Sequence, residues 1–80
     1  MTAVYVVAAQ RSAIGSFGGS LKDVAPAVLG ASVTRAAIAK AGVDPSAIGH
    51  VVFGQVVPTV PEDAYIARVA AVNAGVPVEA

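Results

Sequence analysis

The sequence contains no cysteine and no tryptophan, and its aromatic residues are two tyrosines and two phenylalanines. Without cysteine, these residues cannot form a disulfide, a thiolate metal site or a cysteine nucleophile. Charge is also sparse: five basic and five acidic residues cancel and are scattered along the chain. Nothing in this pattern indicates binding to nucleic acid or to an anionic membrane.

Long hydrophobic runs are missing as well. Charged residues interrupt every apolar stretch before it reaches the roughly 20 residues that a membrane-spanning helix requires. The first residues carry no basic group ahead of the apolar stretch, so they do not resemble a signal peptide. We therefore expect a soluble, cytoplasmic protein.

The chain is nevertheless unusually apolar for its length. It has 80 residues, of which 56% are hydrophobic, and a mean hydropathy of +0.75. A small domain has a high surface-to-volume ratio and needs polar residues to cover it. The composition therefore predicts that residues 1–80 are the N-terminal portion of a larger, incomplete domain, with apolar faces that further chain would cover.

Two apolar segments predict buried strands, at about residues 4–9 and 50–57. Both are rich in β-branched residues at consecutive positions, which is typical of a strand covered on both faces. A predicted helix separates them. This order favours a right-handed βαβ crossover with parallel pairing, and the predicted fold class is α/β.

The first helix is expected at about residues 25–41. Pro26 suits a first turn, Asp23 stands close enough to cap the helix or to favour its positive end, and Gly42 suits its end. Gly30 costs about 1 kcal/mol relative to alanine inside a helix. We expect the compensation to be a close approach by another element at that point.

The second helix is expected at about residues 62–74. Pro61 suits its first turn, and Gly75 followed by a proline suits its end. Alanines recur along one broad face. Because small side chains let helices approach closely, we expect tight packing against another helix or a subunit.

A glycine-rich loop, Gly15–Gly19, follows the first predicted strand. Its order of glycines matches neither the dinucleotide fingerprint nor a phosphate loop. A structural turn, fixed by burial of the Phe17 ring, is the favoured interpretation. The alternative is an autonomous small βαβα binding module that holds a ligand at this loop.

The remaining candidates are single titratable residues. His50 is the lone histidine, and a general base needs an orienting carboxylate, for which Asp44 and Glu62 are available but not indicated by spacing. A structural histidine is favoured. Arg11 stands at a strand end, where an ion pair within the fold is favoured over ligand binding, and Arg68 is expected to face solvent or an interface.

Three segments resemble the thiolase family, the acetyl-CoA acetyltransferases and 3-ketoacyl-CoA thiolases. They are the opening strand and loop at residues 6–23, the stretch at 50–56 and the helix and turn at 66–77, and their spacing also resembles that family. The resemblance implies two similar α/β halves, each with a five-stranded mixed sheet sandwiched by helices. Residues 1–80 correspond to the first βαβα part of the N-terminal half.

The resemblance also implies a reaction. Family members catalyse reversible Claisen condensation and thiolysis of coenzyme A thioesters through a cysteine acyl-enzyme, assisted by a histidine and a second cysteine. A motif of the form Asn-x-x-Cys-Gly-Ser-Gly is expected shortly after Ala80, and the other two residues belong to the C-terminal half. No catalytic, cofactor-binding or metal-binding residue is therefore expected in this chain, which alone should be inactive.

Two departures from the family pattern concern the subfamily. Ser12 stands where threonine is common, and residues 58–65 replace a glycine- and glutamine-rich link. The pattern resembles bacterial 3-ketothiolases associated with polyhydroxyalkanoate precursors. The resemblance implies acyl-CoA substrates, no separate cofactor and a homo-oligomer, a dimer or tetramer. A ketoacyl synthase relative is a further option, although such proteins usually open with different residues.

Overall fold

The regular structure of the chain is helical. The computed structural model describes residues 3–80 apart from the side chain of Glu62. Helix α1 spans Pro26–Ala41 and helix α2 spans Ile66–Asn73. Two 3-10 helices, Pro45–Ala47 and Pro61–Tyr65, lie between them. Each of these elements other than α2 begins at a proline, whose fixed φ is already suited to a first turn.

Helix α1 lies within one residue of its expected bounds, but its N-terminus is not capped by Asp23. The N-cap is Ala25, which makes no side-chain cap bond. Val24 N–H donates to the Leu21 carbonyl at 3.1 Å, and the resulting turn precedes the helix. The helix ends at Gly42, whose φ of 72° is the left-handed conformation that glycine adopts without a Cβ penalty.

The second helical segment begins with a 3-10 turn and not with an α-helical one. The segment Pro61–Tyr65 is a 3-10 turn, and α2 proper begins only at Ile66. At the other end Gly75 has φ 94°. Val76 N–H donates to the Ala71 carbonyl at 3.0 Å and Gly75 N–H to the Val72 carbonyl at 3.1 Å. This pair of bonds is a Schellman motif, which ends the helix where the glycine predicts.

The core of the structure is the contact between α1 and α2, and it is built largely from alanine. Ala70 is completely buried, and most of the other buried apolar residues are also alanines. The buried apolar residues are Ala27, Ala31, Ile66, Ala70, Ala71, Ala74 and Val76. Small side chains bring the two helices close together, as the alanine face of the second helix predicts.

The closest approach is at Gly30. A Cβ built there would lie 2.9 Å from Cε2 of the Phe53 ring and 3.4 Å from Cβ of Ala70. The first distance is well inside van der Waals contact, where repulsion dominates. The predicted reason for a glycine inside the helix, close approach by another element, is therefore confirmed.

Arg35 ties the two helices together at one end. Its Nη1 donates to the Asn73 carbonyl at 2.8 Å, and its Nη2 lies 3.5 Å from Oγ of Ser32. The last carbonyls of a helix have no partner within the helix, and the negative end of the dipole favours a cation. A side chain on α1 thus caps the C-terminus of α2.

The predicted sheet is not confirmed. No strand forms at 4–9 or 50–57, or elsewhere in residues 3–80. Val4 is 92% exposed and Val56 is 94% exposed, so these segments have lost the burial that their composition predicts. The physical reason is that a strand exists only through its ladder bonds and covered faces. The described residues supply no neighbouring strand, and they cover the second segment only in part, at Val51 and Phe53.

The solvent-accessible surface area is also larger than that of a compact monomer. The chain exposes 5987 Å², whereas a folded monomer of its mass exposes about 4,400 Å². Its radius of gyration is 13.7 Å, compared with about 11.6 Å for a compact domain of this length. Large apolar side chains are part of this exposed surface, among them Val4, Phe17 and Val56. Within those residues, no helix has both the length and the apolar character to span a membrane.

Candidate functional site

The most organised polar group in the structure is the carboxylate of Asp63, at the start of the second helical segment. Its Oδ2 accepts hydrogen bonds from Thr59 N–H at 2.6 Å, from the Thr59 hydroxyl, and from Val60 N–H at 3.3 Å. Its own N–H donates to the Val60 carbonyl at 3.0 Å. We call this arrangement the Thr59–Asp63 clamp.

The clamp keeps Asp63 ionised. The hydrogen bond from the Thr59 hydroxyl, followed by the bond from Thr59 N–H, holds the pKa of the Asp63 carboxyl below its usual value. Loss of solvent acts in the opposite direction and is outweighed by these bonds, while Val60 N–H adds to them. The residue is 1% exposed, so it is a buried carboxylate held by three donors on a single oxygen.

The other oxygen of that carboxylate, Oδ1, is buried and has no hydrogen-bond partner within the described residues. Asp63 also forms no ion pair in this part of the chain, where no cation nitrogen lies within 4.0 Å of its oxygens. Buried carboxylate oxygens are nearly always satisfied in native structures, so this oxygen is an exception that requires a cause.

Asp44 offers a direct comparison because it makes the same kind of cap in an exposed position. Its Oδ1 accepts from Ser46 N–H at 2.9 Å and from the Ser46 hydroxyl at 2.8 Å. These two bonds, the backbone bond first, lower the pKa of the Asp44 carboxyl. Since its carboxylate is used in this local turn, Asp44 is not arranged as an acid partner for a histidine.

His50 does lie next to a depression, but without an acid–base partner. The depression has a volume of about 200 Å³ and is lined by His50, Arg68, Pro77 and neighbouring apolar residues. His50 is exposed, and its ring forms no hydrogen bond within residues 3–80. Arg68 is exposed, as expected, and its Nη1 donates to the Val78 carbonyl at 2.6 Å. The Glu62 side chain, the other expected partner, lies outside the described part of the structure.

The glycine loop is a turn, and the Phe17 ring within it is not buried. Gly19 N–H donates to the Ser16 carbonyl at 2.8 Å and Lys22 N–H donates to the Gly19 carbonyl at 3.2 Å. These amides are used inside the loop, which does not favour a phosphate cradle or the binding-module alternative. The prediction for Phe17 was wrong: its ring is fully exposed, because nothing in the described chain packs against it.

Arg11 also differs from its expected role. Its Nη1 donates to the Ser12 carbonyl at 3.3 Å, and the ion pair favoured for it is not formed with any acidic side chain that the structure describes. The described residues also contain no group of three His, Asp or Glu side chains placed to hold a metal ion. The polar groups that the structure does bring together, around Asp63, fix a loop, in which the Thr59 hydroxyl serves as a donor to the carboxylate. The sequence signal for this clamp is a threonine four residues ahead of an aspartate, with a proline between them.

Comparison with known proteins gives one consistent family. A family model described as the N-terminal domain of thiolase matches residues 4–80. The beta-ketothiolase BktB of Cupriavidus necator is 61% identical over 77 residues, which are 96% of this chain and 20% of that protein. An acetyl-CoA acetyltransferase of the same bacterium is 46% identical over 77 residues, covering 96% of this chain and 19% of its own length.

A mammalian relative shows the same partial coverage. The mitochondrial 3-ketoacyl-CoA thiolase of Bos taurus is 36% identical over 76 residues, which are 95% of this chain and 19% of that protein. The chain therefore spans about a fifth of the length of the curated relatives it matches.

Proposed function

The chain belongs to the thiolase family, whose N-terminal domain model it matches over residues 4–80, and from this premise we propose that it is the first part of a longer acyl-CoA C-acyltransferase. That enzyme carries out reversible Claisen condensation and thiolysis of acetyl-CoA and 3-ketoacyl-CoA through a cysteine acyl-enzyme. Coenzyme A thioesters are its substrates, and it uses no separate cofactor. The observation that carries this proposal is the 61% identity to a protein named beta-ketothiolase.

Within that enzyme, residues 1–80 are scaffold. They contain no cysteine, so the cysteine that carries the acyl group lies outside them. The acyl group is carried by a cysteine beyond Ala80, at a helix N-terminus that favours its thiolate form. The histidine and second cysteine of the reaction belong to the C-terminal half.

The scaffold acquires its sheet from the rest of the protein. Segments 4–9 and 50–57 pair as strands of a mixed sheet once further strands and helices cover them. Their β-branched composition and their high exposure in this structure both support this step. Covering them also removes the excess of about 1,600 Å² of surface over that of a folded monomer of this mass.

The complete enzyme is a cytoplasmic homo-oligomer, a dimer or tetramer. The narrower subfamily is that of bacterial 3-ketothiolases which supply polyhydroxyalkanoate precursors. Support for the subfamily comes from the difference between 61% identity to the beta-ketothiolase and 46% identity to the acetyl-CoA acetyltransferase of the same bacterium.

The proposal is tested by assaying the longer protein and the 80-residue chain side by side for thiolysis of acetoacetyl-CoA. We expect turnover by the longer protein and none by the 80-residue chain. In the longer protein, replacement by alanine of the cysteine expected after Ala80 should abolish turnover and the acyl-enzyme detected by mass spectrometry. Turnover by the 80-residue chain, or by the cysteine variant, would contradict the proposal.

A further inference from the structure

Arg68 connects helix α2 to the chain that leaves it. Its Nη1 donates to the Val78 carbonyl at 2.6 Å, across ten residues of sequence. Hydrogen bonds with an ionised donor are roughly twice as strong as those between neutral groups. The guanidinium therefore holds residues 77–80, which we call the exit turn, in a defined position relative to the helix.

The other hydrogen bonds of this region do not connect the exit turn to the helix. The Schellman bonds end at Val76, which is buried. Beyond it, Ala80 N–H donates to the Pro77 carbonyl at 3.1 Å, and this bond lies entirely within the turn. In the part of the chain that the structure describes, the bond from Arg68 is the one hydrogen bond between the exit turn and α2.

Packing between the exit turn and the helix is incomplete. Pro77 and Ala80 line an open depression of about 200 Å³. Its wall on α2 is formed by Ala67, Arg68 and Ala71, and alanine methyl groups are too small to fill it. Atoms that border an open space lack contact partners on that side. Side-chain packing therefore restrains the turn only weakly, and the hydrogen bond from Arg68 sets its position.

We infer that Arg68 is a positioning residue for the cysteine that carries the acyl group in the longer enzyme. This inference rests on the proposed function, in which that cysteine lies shortly after Ala80. Each residue extends a chain by at most about 3.6 Å, so the exit turn limits where a cysteine a few residues later can lie. Displacement of a reacting group by about 1 Å can lower a rate about 100-fold. In this role Arg68 acts through the exit turn and takes no part in the chemistry itself.

The test compares Arg68→Met with Arg35→Met in the longer protein. The two arginines are matched, since each guanidinium donates to one backbone carbonyl, at 2.6 Å and 2.8 Å, and methionine keeps the aliphatic stem. Only the bond from Arg68 holds the segment that leads to the cysteine. We expect Arg68→Met to slow formation of the acyl-enzyme from acetoacetyl-CoA about tenfold or more, measured by rapid quench and mass spectrometry. Arg35→Met should leave this rate unchanged.

Alkylation of the cysteine by iodoacetamide is a readout that a loss of stability alone does not move. A neighbouring histidine and a helix N-terminus both lower the pKa of a cysteine thiol. Displacement of the cysteine from the histidine of the C-terminal half weakens the first of these effects. We therefore expect the midpoint of the alkylation rate against pH to rise in Arg68→Met and to stay in place in Arg35→Met.

A conservative variant completes the test. Arg68→Lys keeps a cationic donor and should recover part of the rate that Arg68→Met loses. If Arg68→Met does not fold, Arg68→Lys is compared with Arg35→Lys, and the same order of effects is expected. Equal effects at the two positions on the acyl-enzyme rate and on alkylation would overturn the inference. Absence of an acyl-enzyme in the wild type would instead contradict the proposed function.

Discussion

Substitution of Gly30 by alanine separates helix propensity from packing. Propensity alone predicts that Gly30→Ala stabilises α1 by about 1 kcal/mol. The new Cβ, however, would lie 2.9 Å from Cε2 of Phe53 and 3.4 Å from Cβ of Ala70. The Ala70 distance is an ordinary van der Waals contact, whereas the Phe53 ring must shift, and overpacking of this kind costs about 1–3 kcal/mol. We expect a net loss of about 1 kcal/mol, because the packing cost exceeds the propensity gain.

The assay is the thermal unfolding midpoint of the longer protein, where the expected loss lowers Tm by about 1 °C. The control Ala36→Gly, at an exposed position of the same helix, measures propensity alone and should cost about 1 kcal/mol. In the Phe53→Leu background the clashing ring edge is absent. Gly30→Ala should therefore cost at most half of what it costs in the wild-type background. If Gly30→Ala raises Tm by as much as Ala36→Gly lowers it, the packing argument is wrong.

Three further predictions concern the helix ends and the buried carboxylate. Arg35→Met keeps the aliphatic stem but loses the bond to the Asn73 carbonyl, and should cost about 0.5–1.5 kcal/mol in an unfolding assay of the longer protein; an unchanged Tm would contradict the capping role. Gly42→Ala places a side chain at φ 72° and should cost about 1–2 kcal/mol of stability. Gly49→Ala, at a position with open space and no positive φ, should change the stability little. Equal losses in the two variants would contradict the strain argument. The folded pKa of Asp63 is lowered, so its stabilising contribution is present above its unfolded pKa, about 3.9, and is lost as pH falls through the folded value. Below neutral pH, Tm should therefore fall less steeply with decreasing pH in Asp63→Asn than in the wild type. Identical Tm profiles at acid pH would contradict the clamp.

Local signals predicted the helices well because helix bonds and caps connect residues close in sequence. Pro26 and Gly42 mark the ends of α1, and Gly75 marks the end of α2 through its Schellman bonds. The close packing at Gly30 was also predictable, since a glycine inside a helix needs a compensating contact. The N-terminal cap was less predictable. Asp23 has the chemistry of a capping residue, but it lies in the turn at residues 21–24, which precedes the helix.

Signals that depend on distant partners were not realised in this chain. Segments 4–9 and 50–57 have the composition of buried strands, yet strand structure requires a neighbouring strand and covered faces. The Phe17 ring, expected in a core, is fully exposed for the same reason. The clamp at Asp63 is a local feature, because its donors come from Thr59 and Val60, three and four residues ahead of the carboxylate.

The central claim is that residues 1–80 are an apolar scaffold completed by the rest of a thiolase. It is tested most directly by amide hydrogen exchange at residues 4–9 and 50–57, measured in the 80-residue chain and in the longer protein. The account predicts rapid exchange in the 80-residue chain, where these residues form no strand, and strong protection in the longer protein, where they are paired and covered. Protection in the 80-residue chain, or rapid exchange in the longer protein, would contradict it.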